Sequence, residues 1–281
     1  MKTLAIDPLK PVFEVTPGHN IFRQLAVKVD MDGVSDDDYF SWLDCMIRET
    51  SAEFRGVKFI EKEGVRTNPP LNTAVYYDTA DYKLLPTGAL LRTSCNKVTH
   101  AFCAFKMPED ESGNRLDRRH VFEGAEKLQI QTAPFSKESI AIVKRLLART
   151  DIEQPGTFLQ REYGIPPDAI TPAVVLFGHR STFYVRLDDY DVLRCSIDRS
   201  EVMDNRNDPH GSAMKAFREV EISIYPRIRK EISGDSRIIQ LIRYLTDTLT
   251  TRFSRPIIHA IKYQRAAMAL GILGAINHPT S

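Results

Sequence analysis

Carboxylates and basic side chains alternate with apolar residues along several β-prone runs of this chain. Glu219 and Glu221 are two positions apart in a run rich in Phe, Val and Ile, so both point to the same face of a strand while the apolar residues take the other. Arg194 and Asp198 share a face of the run 192–198 in the same way. Strand faces that carry both signs of charge predict a polar interior, in which arginines and lysines hold a polyanion and carboxylates hold a metal cation.

The composition indicates a folded protein with no global affinity for nucleic acid. The chain has 281 residues, of which 42% are hydrophobic and 27% are charged, enough to build a substantial core. Its 38 basic and 37 acidic residues leave a formal net charge of +1. Nucleic-acid-binding domains usually carry a strong positive excess, so we expect no nucleic-acid partner. Any anion site must therefore be built from locally segregated charge.

Targeting and redox signals are weak in this sequence. No apolar run approaches the roughly 20 residues that a membrane-spanning helix needs, and residues 1–10 lack the apolar stretch of a signal peptide. The four cysteines are scattered, with no Cys-x-x-Cys pair, so neither structural zinc nor a disulfide framework is expected. These features predict a cytoplasmic protein with reduced thiols and no membrane span.

Periodicity and turn signals predict an α+β protein rich in antiparallel strands. The proline-containing residues 1–20 predict an irregular lead-in, residues 21–273 a single domain, and residues 274–281 a tail. Apolar residues recur at helical spacing in four predicted helices, 36–54, 136–149, 236–252 and 256–273. The predicted strands are 21–29, 71–78, 90–95, 100–107, 117–123, 174–180, 181–187, 192–198 and 216–225.

A tyrosine-Asp-Thr strand end, followed by a glycine turn and Leu-Arg, lies between residues 76 and 92. The sequence there reads Tyr-Tyr-Asp-Thr-Ala-Asp-Tyr-Lys-Leu-Leu and, from residue 88, Gly-Ala-Leu-Leu-Arg. This pattern resembles the triphosphate tunnel metalloenzyme superfamily, which includes CYTH-domain proteins and VTC-type polyphosphate polymerase domains. The resemblance extends over residues 21–270, with further matching segments in the expected order at 104–106, 118–123, 179–183, 193–199, 219–221 and 260–266.

The resemblance implies a fold and a set of site residues. The implied fold is a closed antiparallel β-barrel of about eight strands that forms a charged tunnel, with flanking helices. The implied phosphate-binding residues are Lys28, Arg92, Lys106, Arg119, Arg180, Arg194 and Lys262. The implied catalytic residues are Lys106, Glu219 and Lys262. A divalent ion, Mg²⁺ or Mn²⁺, would be held by Glu219, Glu221, Asp198 and Glu123.

The first strand departs from the family's Glu-x-Glu-x-Lys signature. Lys28 is kept, but Gln24 and Ala26 stand where the family has glutamates that help to hold the metal. Ser94 stands where the family's Leu-Arg-x-Arg motif has its second arginine. These departures weaken the resemblance to the CYTH hydrolases more than the resemblance to the VTC-type domains.

The leading prediction is an enzyme that binds a triphosphate-type polyanion in the basic tunnel and hydrolyses it with the divalent metal. The ligand would be a nucleoside triphosphate, tripolyphosphate or polyphosphate. The alternatives are a VTC-like polyphosphate polymerase and, from a different class, a sensor that binds the polyanion without turnover. The replacement of the two glutamates keeps the sensor open. A protein partner could dock on the amphipathic helices that follow Ser236.

Simpler structural roles compete for some of these residues. Glu219 and Glu221 could line a solvated strand face. Arg180 and Arg194 could form surface ion pairs with the aspartates at the turn between their strands, and such pairs contribute little. The side chain of Asp78 favours a structural role in a turn, since aspartates bond to nearby backbone groups.

Overall fold

A computed structural model describes residues 15–16, 19–23, 26–108, 114–150, 155–229 and 231–277. The predicted lead-in at 1–20 and the tail at 274–281 lie in large part outside these residues, and so does Gln24. Within them, twelve strands form one antiparallel sheet. The strands are β1 (Val15–Thr16), β2 (His19–Arg23), β3 (Ala26–Asp30), β4 (Val57–Glu61), β5 (Leu71–Asp78), β6 (Leu90–Asn96), β7 (Ala101–Lys106), β8 (Asn114–Val121), β9 (Thr171–Leu187), β10 (Tyr190–Asp204), β11 (Lys215–Ile224) and β12 (Ile257–Ile258).

The same parts of the chain form seven α-helices, and three of the four predicted helices are confirmed to within a residue at each end. The predicted helix at 256–273 is divided into β12 and two short helices, with a left-handed Gly271 (φ +76°) between the helices. The helices are α1 (Asp36–Glu53), α2 (Gly124–Thr132), α3 (Lys137–Ala148), α4 (Pro155–Tyr163), α5 (Ser236–Phe253), α6 (Lys262–Ala269) and α7 (Ile272–Asn277).

The sheet is open, so the predicted closed barrel of about eight strands is wrong. Its strand order is β1-β2-β8-β7-β6-β5-β9-β10-β11-β3-β12, with β4 paired to β9 outside this path. Ten strands remain when the two-residue strands β1 and β12 are set aside. Among the described residues, no ladder joins the β2 end of the sheet to the β3 end.

The break lies within the first predicted strand. Instead of one strand at 21–29, the structure has β2, which pairs with β8, and β3, which pairs with β11. Each half therefore completes only one end of the sheet. Arg23 and Ala26, the facing ends of β2 and β3, are three residues apart, so their Cα atoms lie within about 11 Å of each other. The chain thus brings the two ends of the sheet together, and the sheet must curve strongly.

Strand pairing assigns the charged side chains to one face of this curved sheet, because directly opposed residues of neighbouring strands point to the same side. Asp198 lies opposite both Arg180 and Glu219, and Glu221 lies opposite Lys28. The opposed residues can be followed in the same way from β9 through β5, β6, β7 and β8. We call this side the inner face; its charged residues include Lys28, Asp30, Arg92, Lys106, Asp117, Arg119, Arg180, Arg194, Asp198, Glu219 and Glu221.

Five helices and two hydrophobic cores cover the opposite side of the sheet. Helices α1 and α5 pack on β3 and β9–β11, with Leu43, Val185 and Leu241 among the buried residues. Helices α2, α3 and α4 pack on β5–β8, around Val75 and Phe105. A sheet whose two ends come within about 11 Å of each other leaves no room for five helices inside it, so the helices lie on its convex side and the inner face is the concave one. None of the described helices is long and apolar enough to cross a membrane.

Helix α6 packs against the inner face, where it forms a third, smaller core together with Ile272 of α7. Tyr263 and Ala266 of α6 contact a group of buried residues that includes Tyr76, Leu176 and Phe217. The inner face therefore has an apolar part covered by α6 and a charged part beside it. The apolar side of α5, which belongs to the region expected to dock a partner, is buried in the outer core.

Candidate functional site

Asp198 is held by two cations from different elements of the fold. Arg180, opposite it in β9, donates hydrogen bonds from Nε to Oδ1 at 2.6 Å and from Nη2 to Oδ2 at 2.7 Å. Lys262, the first residue of α6, donates from Nζ to Oδ2. The Asp198 side chain is only 3% exposed. A carboxylate at this depth needs such partners, because an unpaired buried charge is costly.

Glu219 is fully buried next to this group. Its Oε1 lies 3.5 Å from Nζ of Lys262 and has no hydrogen-bond partner among the described residues. Its Oε2 accepts a hydrogen bond from Nη1 of Arg265 at 3.4 Å. The ammonium of Lys262 therefore stands between the carboxylates of Asp198 and Glu219.

Arg265 belongs to the site although the sequence analysis assigned it no role. Its Nη2 donates to Oδ1 of Asp30 at 2.9 Å and to Oδ2 of Asp32 at 3.2 Å, and its guanidinium lies 4.7 Å from the ring centre of Phe217. The signal in the sequence was its position three residues after Lys262, which places both side chains on one side of a helix.

Glu221 lies one step further along β11. Arg194 donates from Nη2 to its Oε1 at 2.9 Å, and Lys28 is its opposite neighbour in β3. Burial would raise the pKa of the Glu221 carboxyl, but the charges of Arg180, Arg194 and Lys28 outweigh burial and lower this pKa to about 2. Glu221 is therefore ionised at every physiological pH.

The pKa of Asp198 is shifted in the same direction and for the same reason. Burial acts to raise it, but Arg180 and Lys262 together hold it well below its ordinary value. Both carboxyls are thus fixed as anions, so each must keep cationic neighbours.

These residues form the central cluster, in which the charges balance. The solvated-face explanation for Glu219 and Glu221 is wrong, since their exposed fractions are 0% and 8%. The arginines at 180 and 194 pair within this cluster and not with the aspartates of the turn. The cations of the central cluster are Lys28, Arg180, Arg194, Lys262 and Arg265, and its carboxylates are Asp30, Asp32, Asp198, Glu219 and Glu221.

A second group, the β6–β8 cluster, consists of Arg92, Lys106, Asp117 and Arg119. Lys106 Nζ lies 3.0 Å from Oδ2 of Asp117, and Nη2 of Arg119 lies 3.3 Å from the same oxygen. The Asp117 side chain is 3% exposed, whereas that of Arg119 is 36% exposed. Arg119 also lies over the ring of Phe102 at 4.3 Å, which fixes its position.

Arg92 is the least paired cation of this second cluster. It lies opposite Ala104, which in turn lies opposite Arg119. It has no ion pair with any residue that the structure describes, and its buried Nε has no hydrogen-bond partner there. Lys106 and Arg119 therefore pair with Asp117, whereas Arg92 has no ion pair among the described residues.

A buried aspartate anchors α6 between the two clusters. Asp78 accepts hydrogen bonds from the backbone N–H groups of Thr79 at 2.8 Å and of Leu84 and Leu85 at 3.0 Å. It also accepts one from the Tyr263 hydroxyl at 3.0 Å. Asp78 therefore has the structural role in a turn that we predicted from the sequence. Through Tyr263 it also fixes α6, the helix that carries Lys262.

The first turn of α6 touches both clusters. The ring of Tyr263 stacks on that of Tyr76, with centres 4.8 Å apart, and Tyr76 lies opposite Arg92. Lys262, one residue earlier, reaches Asp198. The two clusters are thus neighbours on the same concave face.

The structure brings most of the predicted site residues to the inner face, but not Glu123. This glutamate is exposed and directly precedes α2, and no contact joins it to the other predicted metal ligands. Asp117, like Arg265, was missing from the predicted site. Its position two residues before Arg119, at the start of a predicted strand, placed it on the same face.

The carboxylates of the central cluster do not fit the predicted Mg²⁺ or Mn²⁺. Such ions need several oxygen ligands at about 2.1 Å. Both oxygens of Asp198 are already hydrogen-bonded to Arg180, and Ala26, opposite Ser223 in β11, offers no ligand. Within the described part of the chain, no three or more His, Cys, Asp or Glu side chains are grouped so that they could hold a metal ion.

One solved structure shares this fold at low sequence identity, and two others align less well. A Bacillus halodurans protein, provisionally described as an adenylate cyclase, aligns with a TM-score of 0.50 and 15% identity over 88% of this chain and 98% of its own. HpAC1 from Hippeastrum is provisionally described as an adenylyl cyclase with a dominant triphosphatase activity. It aligns with a TM-score of 0.47 and 13% identity over 87% of this chain and 95% of its own. A Mimivirus capping-enzyme triphosphatase aligns with a TM-score of 0.34 and 7% identity over 81% of this chain and 89% of its own.

The alignment with the Bacillus halodurans protein supports the predicted resemblance at the level of the fold alone. No protein-family model and no curated protein matches the sequence. The activity of this chain must therefore be argued from its own residues.

Proposed function

We propose that the inner face binds a triphosphate-type polyanion, such as tripolyphosphate, polyphosphate or the tail of a nucleoside triphosphate. The observation that carries this proposal is Arg92 of the β6–β8 cluster, a partly buried cation that has no ion pair among the described residues and lies beside the partly exposed Arg119. A cation at about 4 Å from a phosphate charge gains on the order of 4 kcal/mol before desolvation, at a moderate effective dielectric. Several such contacts are enough to hold a linear polyanion.

The central cluster adds cations that can reach the same ligand. The side chains of Arg180 and Arg194 are 29% and 24% exposed, although both hold buried carboxylates. Arginine presents a planar fork of donors that suits phosphate oxygens, so each can bind its carboxylate and a phosphate with different N–H groups. Because the charges of this cluster balance, we expect it to position the ligand, while the β6–β8 cluster supplies most of the electrostatic attraction.

Hydrolysis of the bound ligand is a second proposal, and the pair formed by Glu219 and Lys262 supports it. Oε1 of Glu219 lacks a hydrogen-bond partner among the described residues and lies 3.5 Å from the lysine ammonium. In this proposal Oε1 takes a proton from a water that enters with the ligand and attacks the terminal phosphorus. The bridging P–O bond breaks, orthophosphate forms, and the shortened chain leaves with the bond electrons. Phosphoryl transfer of this kind needs mostly positioning and charge stabilisation.

Thermal stabilisation by tripolyphosphate and by ATP, each in EDTA, tests the binding. We expect both ligands to raise the Tm, and sodium sulfate at equal ionic strength to raise it much less. Arg92→Gln should reduce the shift, whereas Lys97→Gln, which removes an exposed cation after the same strand, should not. No shift with either ligand would contradict the proposed binding.

Phosphate release under the same conditions, and with Mg²⁺ or Mn²⁺ added, separates the alternatives. Release from tripolyphosphate that is lost in Glu219→Gln supports hydrolysis at this site. Binding without release under any of these conditions favours the sensor or the VTC-like polymerase, in which the end of a phosphate chain would attack in place of water. A protein partner on the C-terminal helices remains a prediction.

A further inference from the structure

A lysine ammonium occupies the space between two carboxylates where the resemblance places a metal ion. Lys262 Nζ contacts Oδ2 of Asp198 and lies 3.5 Å from Oε1 of Glu219. These two carboxylates are directly opposed in the ladder between β10 and β11. A divalent ion could reach both only by displacing the ammonium.

The remaining carboxylate oxygens are also engaged by cations. Arg180 binds both oxygens of Asp198, Arg265 binds Oε2 of Glu219, and Arg194 binds Oε1 of Glu221. The positive charge that a metal would bring is thus already present as side chains. Ala26 and the hydroxyl of Ser223, its opposite neighbour, add no carboxylate.

The position of Lys262 and Arg265 on α6 is unfavourable without these carboxylates. Both lie in the first turn of the helix, where the helix dipole disfavours positive charge. Asp198 and Glu219 offset that cost, so the helix start and the carboxylates depend on each other. The stacked Tyr263 and its bond to Asp78 keep the lysine in this position.

We infer that Lys262 takes the place of a divalent metal ion in this chain, so that the inner face binds the polyanion in its metal-free form. The inference rests on the proposed function for the identity of the ligand, but the exclusion of the metal by the lysine stands on the central cluster alone. It assigns the free tripolyphosphate or polyphosphate anion, and not its magnesium complex, as the ligand class.

Calorimetric titration of Mn²⁺ into the protein without any ligand tests the role of the lysine. The wild type should show no binding up to about 1 mM, the weak end of biological divalent sites. Lys262→Met keeps the length of the side chain and removes its charge, so Mn²⁺ binding should appear below that concentration. Lys83→Met, at an exposed lysine, is the matched control and should behave as the wild type.

Two results of this titration would overturn the inference. One is saturable Mn²⁺ binding by the wild type that is lost in Glu219→Gln. The other is a folded Lys262→Met protein, shown by circular dichroism, that still binds no Mn²⁺. If Lys262→Met does not fold, Lys262→Gln takes its place, and the wild-type titration decides independently.

A second titration, of tripolyphosphate into the wild type, keeps this inference separate from the proposed function. With EDTA the affinity should equal or exceed that measured with excess Mg²⁺, and a more than about tenfold loss in EDTA would contradict metal-free binding. Absence of binding in both buffers would instead refute the proposed function, while the Mn²⁺ titration would still decide the role of Lys262.

Discussion

The two charged clusters of the inner face differ in how their charges are matched. In the central cluster five cations face five carboxylates, and the deepest of them, Asp198 and Glu219, are 2% and 0% exposed. In the β6–β8 cluster Lys106 and Arg119 pair with Asp117, Arg92 has no ion pair among the described residues, and Arg119 is 36% exposed. Among the described residues, each cation of the central cluster therefore faces a carboxylate, whereas Arg92 of the β6–β8 cluster does not.

This difference separates a structural task from a binding task on one surface. Buried charges that are fully paired are costly to disturb but have little attraction left for a ligand. Cations in excess at a concave, partly exposed position attract anions. We therefore expect substitutions in the central cluster to act mainly on stability, and substitutions in the β6–β8 cluster to act mainly on affinity for polyanions.

Removal of the most heavily paired carboxylate should have the largest effect. Asp198→Ala leaves Arg180 and Lys262 facing each other without their shared anion, so the free energy of unfolding should fall by about 3 kcal/mol. Urea denaturation measures this loss. Asp189→Ala, in an exposed turn, should change stability by less than about 0.5 kcal/mol. A loss below about 1 kcal/mol in Asp198→Ala would show that the central cluster is not the structural one.

Loss of the hydroxyl that anchors α6 should cost less. Tyr263→Phe keeps the stacking on Tyr76 but removes a hydrogen bond to the buried Asp78, so we expect a loss of about 1.5–2 kcal/mol. Tyr225→Phe is the control, because its hydroxyl makes no hydrogen bond to the described residues. Equal stability of the two variants in urea would mean that the position of Lys262 does not depend on this anchor.

Removal of the least paired cation should change binding and leave stability nearly intact. Arg92→Gln should weaken tripolyphosphate binding about tenfold, which corresponds to ~1.4 kcal/mol, and should change the unfolding free energy by less than ~0.5 kcal/mol. Calorimetry and urea denaturation on the same preparation give both numbers. The reverse result, a stability loss with unchanged affinity, would exchange the roles of the two clusters.

The smallest effect expected at neutral pH comes from Glu221→Gln. Glutamine can keep the hydrogen bond to Arg194, so the loss should be about 1 kcal/mol at pH 7, since the arginine is partly exposed. The pKa of Glu221 is lowered from its ordinary 4.5 to about 2, so its ionised form contributes stability that is complete above pH 4.5 and is lost as the pH falls towards 2. The difference between wild type and variant should therefore shrink over this range. A difference that grows on acidification would contradict this sign.

The strand faces could be predicted from the sequence, whereas the pairing across them could not. The alternation around Glu219 and Glu221 fixes a common face, and the structure confirms it. Which cation meets which carboxylate depends on register and on distant elements. Lys262 reaches Asp198 from 64 residues away.

The prediction of a closed barrel was wrong for a similar reason. The run 21–29 is β-prone throughout, and nothing in its local pattern shows that β2 and β3 pair with opposite ends of the sheet. Arg265 lies in the matching segment 260–266, but at a position to which the resemblance gives no role, and Asp117 lies just before the segment 118–123. Both were therefore missed. Their spacing from Lys262 and Arg119 was the only signal in the sequence.

We expect the inner face to bind a polyanion chiefly through Arg92 and Arg119 of the β6–β8 cluster. Calorimetric titration of tripolyphosphate in EDTA, into the wild type and into an Arg92→Gln/Arg119→Gln double variant, tests it most directly. The account predicts saturable binding by the wild type and a loss of about a hundredfold in the double variant, with both proteins equally stable in urea. Equal affinity of the two proteins, or no binding by the wild type, would contradict it.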